Sequence, residues 1–170
     1  NQPKDERLLL FVGNFLPVKG LDLLLDACAQ VMAVQPVRLA LIGGGPLESA
    51  LRAQAADLGI AGKVQFLGRH AAPQVAQWMQ AADAVCLTSH NEGVPNVVLE
   101  SLSSGRVPVC IDVGGIAEVL APVLGTRYLV QQRDSTAYAA ALLDAIQQPP
   151  DENALHDAAR AYSWENCAKK

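Results

Sequence analysis

Asp83-Ala84-Val85-Cys86-Leu87-Thr88-Ser89-His90-Asn91-Glu92-Gly93-Val94-Pro95-Asn96-Val97-Val98-Leu99-Glu100-Ser101-Leu102-Ser103-Ser104-Gly105 reads as one complete strand–loop–helix passage. The apolar run Ala84 to Leu87 predicts a strand over 83–88. Gly93-Val94-Pro95-Asn96 is a turn sequence, and a helix is expected to start at Pro95 or Asn96 and to stop at Gly105. Glu92 then lies in the loop, and Glu100 about one turn into the helix. A helix start presents unpaired backbone N–H groups and a positive dipole end, which suits a phosphate. Carboxylates accept hydrogen bonds from hydroxyls, so a sugar or a ribose is the natural partner of Glu92 and Glu100. A phosphate seat with an acceptor on either side is the layout a sugar nucleotide needs.

Toward the N-terminus, Leu8 to Gly13 reads as a strand buried on both faces. The loop Asn14 to Gly20 follows, then a helix with Leu21, Leu24, Leu25, Cys28, Val31 and Met32 on one face. Val37 to Ile42 is a second strand, and Gly43-Gly44-Gly45-Pro46 leads into a helix carrying Leu47, Leu51 and Leu58. Lys63 to Gly68 is a third strand, and Ala72 to Ala82 a helix with Val75, Trp78 and Met79. Beyond the central passage, Val107 to Ile111 is a fifth strand and Asp112 to Gly115 a loop. A short helix is expected over 116–120, a sixth strand over 126–130, and a helix over 135–147 that Pro149-Pro150 stops. The alternation predicts an α/β fold: a doubly wound, mostly parallel six-stranded sheet with helices on both faces. In such sheets ligands sit at the carboxyl ends of the strands. Here those ends are Asn14–Gly20, Gly43–Pro46, Gly68–His70, Thr88–Asn96 and Asp112–Gly115. Phe66, Trp78 and Trp164 read as core residues, and Glu100, on an apolar helix, as a buried carboxylate in need of a partner.

Composition bounds the function. The 170 residues are 51% apolar and 18% charged, enough for one globular domain with a real core. A net charge of −4 without a basic block argues against nucleic acid. No apolar run approaches the roughly twenty residues of a membrane span. Cys28, Cys86, Cys110 and Cys167 do not pair at metal-ligand spacing, and buried thiols suit a reducing cytoplasm. There is no Gly-x-Gly-x-x-Gly, since position 48 is Glu, and no Gly-Lys-Ser/Thr of a Walker loop.

Glu92-Gly93-Val94-Pro95-Asn96 with Glu100 resembles the Glu-x7-Glu motif of glycosyltransferase family four, retaining enzymes of two-domain GT-B fold. Other segments resemble the nucleotide-sugar-binding domain of that family in order: Val12-Gly13-Asn14 through Lys19-Gly20, Ile42 to Leu47, Val64 to Gly68, Ala82-Asp83-Ala84, Asp112 to Glu118, and Tyr162-Ser163-Trp164. The resemblance implies a Rossmann-like half of a GT-B fold. It implies a linker over 1–7 from a missing N-terminal acceptor domain, a nucleotide-sugar-binding domain over 8–150, and a C-terminal helical segment over 151–170.

By that resemblance the donor is a UDP-, GDP- or ADP-sugar, and the full protein is a retaining hexosyltransferase of the cytoplasm. Any peripheral hold on a membrane would come through the missing half. Glu92 and Lys19 would be the catalytic pair. Lys19 would hold the diphosphate with the Val97 and Val98 amides, Glu100 the ribose, and Glu92 the donor sugar beside the Gly93-Val94-Pro95-Asn96 backbone. Gly13, Asn14, Gly44, Gly68, Arg69 and His90 would complete the donor site, with His70 bordering the base pocket. Asn14 stands where the family usually has Arg, so one expected cation is absent. No Asp-x-Asp pair is present to carry a metal, and no metal or other cofactor is expected. The alternatives are a non-catalytic nucleotide-sugar-binding or regulatory module, which Asn14 favours, and a GT-B epimerase.

Overall fold

A computed structural model of the protein describes residues 6–93 and 95–162. The strands are β1 (Arg7–Val12), β2 (Val37–Ile42), β3 (Val64–Gly68), β4 (Ala84–Leu87), β5 (Val107–Ile111) and β6 (Leu129–Val130). The helices are α1 (Leu21–Val34), α2 (Glu48–Asp57), α3 (Ala72–Ala81), α4 (Asn96–Ser103), α5 (Ile116–Leu124), α6 (Ser135–Gln147) and α7 (Glu152–Ala161). The strands form one sheet in the order β3-β2-β1-β4-β5-β6. Every neighbouring pair is parallel, so the expected mostly parallel sheet is parallel throughout.

The order follows from burial. Leu8, Leu9, Leu10 and Phe11 are all exposed by 2% or less, and all five residues of β5 are buried. Strands without a polar face need a layer on each side. Parallel strands are joined by right-handed crossovers, so reversing the direction of strand addition moves the connecting helices to the other face. That reversal falls between β1 and β4. On one side α1 packs on α2 and α6; on the other, α7 packs on α4 and α5. The apolar face expected of α1 is buried in full.

Element ends shift for identifiable reasons. β1 takes in Arg7, expected in the linker over 1–7; its guanidinium pairs with Asp83 at 2.9 Å. β6 keeps only Leu129 and Val130, because only these two pair with β5. α5 runs on through Pro122 to Leu124, past the expected stop at Leu120. Pro122 cannot donate to the Glu118 carbonyl four residues back. The Tyr162 hydroxyl donates to that carbonyl instead, at 3.0 Å. Phe66 and Trp78 are half-buried, not core. Phe66 lies on the edge strand β3, where the Arg52 guanidinium covers its ring at 4.1 Å. Trp164 and Cys167 lie outside the described residues.

One buried side chain ties the layers together. Tyr138 of α6 is fully buried; its hydroxyl donates to Val109 O at 2.6 Å and accepts from Leu87 N at 3.0 Å. It thus bonds backbone groups of two adjacent strands, β4 and β5. Tyr138→Phe leaves both groups without that partner in a dry site, and it is expected to lower stability by about 1–3 kcal/mol in urea denaturation.

Cys28, Cys86 and Cys110 are free and buried. Burial is the main cause that pushes all three thiols up, Cys86 to about 12. In the unfolded chain they ionise in the ordinary range near about 8.5. Stability from this source is therefore full below that range and falls as pH rises through it. The three thiols are expected to resist alkylation at neutral pH in the native protein and to react on unfolding, read by mass spectrometry of the alkylated chain.

Candidate functional site

The carboxyl edge of the sheet is assembled by close backbone contacts. Gly43 has φ +142, and a Cβ there would lie 1.8 Å from Gly13 O. Phe15, buried under this junction, donates its N–H to Gly44 O at 2.9 Å and accepts from Leu47 N at 3.3 Å. Gly13 donates to Ile42 O at 2.9 Å, and Gly68 O accepts from Gly43 N at 2.8 Å. The glycines expected to flank a nucleotide thus first of all lock the loops after β1, β2 and β3 to one another.

The loop after β4 is bonded to the loop after β1. Thr88 Oγ1 donates to Lys19 O at 3.0 Å, and His90 N donates to Val18 O at 2.8 Å. This brings Lys19 Nζ to 2.5 Å from Glu92 Oε1, and Ser89 Oγ donates to the same oxygen at 2.6 Å. Side-chain exposures of 27% for Lys19 and 13% for Glu92 mark a partly buried pair. The two residues named as the catalytic pair are therefore in contact, and each satisfies the other.

Two further loops hold Glu92 in place. Gly114 has φ +59, and a Cβ there would meet Glu92 O at 1.7 Å; Gly115 N donates to Gly93 O at 3.2 Å. From the loop after β6, Arg133 Nη1 donates to Thr88 O at 2.7 Å and to Ser89 O at 3.0 Å. Its Nη2 lies 2.5 Å from where a Cβ on Gly20 would stand. Sequence reasoning missed Arg133, Ser89 and Thr88 as site residues. The rule of carboxyl ends, carried on to the sixth strand, points to the loop that holds Arg133. For the two hydroxyls the signal was only their place in the loop that also holds Glu92.

Glu100 stands apart from this cluster. It is exposed, which corrects the expectation of a buried carboxylate: Val98, Ser101 and Leu102 form the buried face of α4, and Glu100 falls off it. It lines a cavity of about 600 Å³ between α3 and α4, whose wall also includes Val12, His70, Val75, Met79 and Leu99. His70 Nδ1 is buried there without a hydrogen-bond partner. Of the remaining expected residues, Asn14, Arg69, His90, Gly93 and Asn96 are exposed, Val97 and Pro95 half-buried, and Val98 buried. The Val98 N–H donates to Pro95 O at 3.0 Å, so one of the two helix-start amides assigned to the diphosphate is engaged within the first turn. Val94 lies outside the described residues. Among the described residues no three His, Cys, Asp or Glu side chains gather as a metal site, and no helix is long and apolar enough to cross a membrane.

A parallel sheet reversed between β1 and β4, with a lysine–glutamate pair and a wide cleft at that point, is a ligand-binding arrangement of the doubly wound class. The family model of glycosyl transferases group 1 matches residues 1–162. The chain belongs to that family. The D-inositol 3-phosphate glycosyltransferase of Frankia alni is 36% identical over 156 residues, covering 86% of this chain and 38% of the relative. That of Thermobispora bispora is 35% identical, covering 99% and 42%. An uncharacterized glycosyltransferase of Methanocaldococcus jannaschii is 30% identical, covering 98% and 44%. The chain thus spans about two fifths of the length of these curated relatives. Among solved structures, the apo lipopolysaccharide outer core galactosyltransferase WaaB superposes with a TM-score of 0.86 at 22% identity, covering 99% of this chain and 48% of that one. WaaG, a glycosyltransferase of lipopolysaccharide biosynthesis, gives 0.78 at 25% identity, covering 94% and 43%. These neighbours confirm the expected fold, the Rossmann-like half of a GT-B glycosyltransferase.

Arg133→Ala removes two charge-assisted bonds to the Thr88 and Ser89 carbonyls. It is expected to cost about 1–3 kcal/mol in urea denaturation. It is also expected to shift the amide resonances of the 88–92 loop, with Arg133→Lys recovering only part of the loss because a lysine lacks the fork.

Proposed function

We propose that this chain is the donor-binding half of a retaining, metal-independent glycosyltransferase. It would hold a UDP-, GDP- or ADP-sugar whose hexose passes to an acceptor carried by a further domain of the protein. The observation that carries the reading is the partly buried Lys19–Glu92 pair, set beside the start of α4 at the point where the strand order reverses. Family membership supports the transferase class. A neighbour of the same fold, the pneumococcal O-GlcNAc transferase GtfA, was solved with UDP and GlcNAc at a TM-score of 0.82, 18% identity and coverage of 95% of this chain and 34% of that one.

The chemistry follows from the pair. Departure of a nucleoside diphosphate builds negative charge on its phosphate oxygens. A lysine and a helix start can stabilise that charge without a metal. An arriving diphosphate competes with Glu92 for the Lys19 ammonium. Once Lys19 turns to phosphate, Glu92 has an oxygen free to accept hydroxyls of the donor sugar, with Ser89 still holding its orientation. Glu100, exposed on the next turn of α4, is then available to the ribose hydroxyls. Asn14 leaves Lys19 as the lone side-chain cation of its own loop; the Arg133 guanidinium, bonded to the Thr88 and Ser89 carbonyls, keeps its charge beside Gly20. The same feature supports the second reading, a module that binds a nucleotide sugar without transferring it. Three buried free thiols suit a reducing compartment, in keeping with work in the cytoplasm.

Titration of the chain with UDP, GDP and ADP by calorimetry is expected to find one that binds. Lys19→Ala is expected to weaken it by about tenfold or more, the scale of one lost charge-assisted bond. The chain alone is expected to transfer no sugar. Absence of binding at millimolar concentrations, or indifference to Lys19→Ala, would overturn the donor-site reading. Transfer by the chain alone would overturn the two-domain reading.

A further inference from the structure

We infer that His70 is the side chain that reads the base of the bound nucleotide, its ring turning a nitrogen onto the hydrogen-bonding edge of the base. The inference rests on the donor-site reading above and adds to it a residue that determines specificity.

The cavity between α3 and α4 has a definite chemistry. Val12, Val75, Met79 and Leu99 supply apolar wall, and the ionisable side chains at its lining are His70 and Glu100. A phosphate is unsuited to it, because apolar walls do not solvate an anion and the Glu100 carboxylate repels one. A bound metal ion is equally unsuited, since no cluster of three ligating side chains forms among the described residues. A planar heterocycle fits: its faces lie against the aliphatic walls while its edge offers N–H and C=O groups. Glu100, at the wall on α4, then meets the ribose that joins the base to the diphosphate at the start of the same helix.

His70 supplies the missing edge contact. Its Nδ1 is buried and has no hydrogen-bond partner among the described residues. Buried polar atoms without partners are rare, and one at the wall of a cleft calls for an explanation. The unpaired Nδ1 has no protein bond to give up, so turning the ring about Cβ–Cγ to meet a ligand in the cavity costs no hydrogen bond at that atom. A neutral imidazole can present that nitrogen as donor or acceptor by choice of tautomer, so it can match either kind of group on a base.

The test compares two ligands on the 170-residue chain by calorimetry: whichever of UDP, GDP and ADP binds tightest, and inorganic pyrophosphate, which lacks the base. His70→Ala is expected to weaken the nucleoside diphosphate by about tenfold or more, while pyrophosphate stays within about twofold. His70→Asn, whose amide reaches the place of Nδ1, is expected to recover part of the loss. Equal nucleotide affinity in wild type and His70→Ala overturns the inference while leaving the donor site intact. So does an equal loss for both ligands, which would mark a structural role. Pyrophosphate binding as tightly as every nucleoside diphosphate in the wild type would show that no base is read. Failure of all the probes to bind the wild type overturns the donor-site reading itself.

Discussion

Burial of β1 on both faces is the constraint on which the structure depends. Leu8 through Phe11 leave no polar side for solvent, and β4 and β5, which continue the sheet beside it, are equally closed. Helices must therefore cover both faces, and polar chemistry is left only at the ends of the strands. At the carboxyl ends of β1 and β4 the strand order reverses, so the chain turns to opposite faces and a cleft opens between them. The site lies where the fold cannot close.

That edge is rigid because backbone meets backbone there. The positions of Gly43 and Gly114 bring peptide groups closer than any side chain permits. Arg133 then binds the Thr88 and Ser89 carbonyls beyond the end of β4, and Tyr138 binds a carbonyl of β5 and an N–H of β4. These contacts place Ser89 and Lys19 on one carboxylate oxygen of Glu92. The pair is only partly buried, and what its attraction gains is offset by the desolvation of both charges, so it is not a large source of stability. In the proposed donor site its use would lie in exchange: a lysine held by one local carboxylate can be passed to a ligand with more charge.

The site has two parts with different physics. Around Lys19 and Glu92 the groups are charged and already paired. Between α3 and α4 the walls are apolar, with Glu100 exposed and one nitrogen of His70 unpaired. The proposed ligand, anionic in the middle and planar at one end with hydroxyls between and beyond, would meet both parts at once. Neither alone would separate a sugar nucleotide from a simple phosphate or a simple aromatic.

The order of elements and the class of fold were legible in the chain, because apolar runs that end in glycine and helical stripes are local patterns that any tertiary setting must respect. So was the spacing of Glu92 and Glu100, and the vacancy of charge at Asn14. Partnerships were not legible. That Lys19 binds Glu92 depends on two loops 73 positions apart being bonded side by side. Arg133 became a site residue only because the sheet order sets β6 two strands from β4, within reach of an arginine. Exposure of Glu100 turned on which face of α4 met the core, and the course of α5 through Pro122 on a tyrosine 44 positions from the carbonyl it bonds. Local sequence determines what each segment is; contacts between distant segments decide which of its groups are left for a ligand.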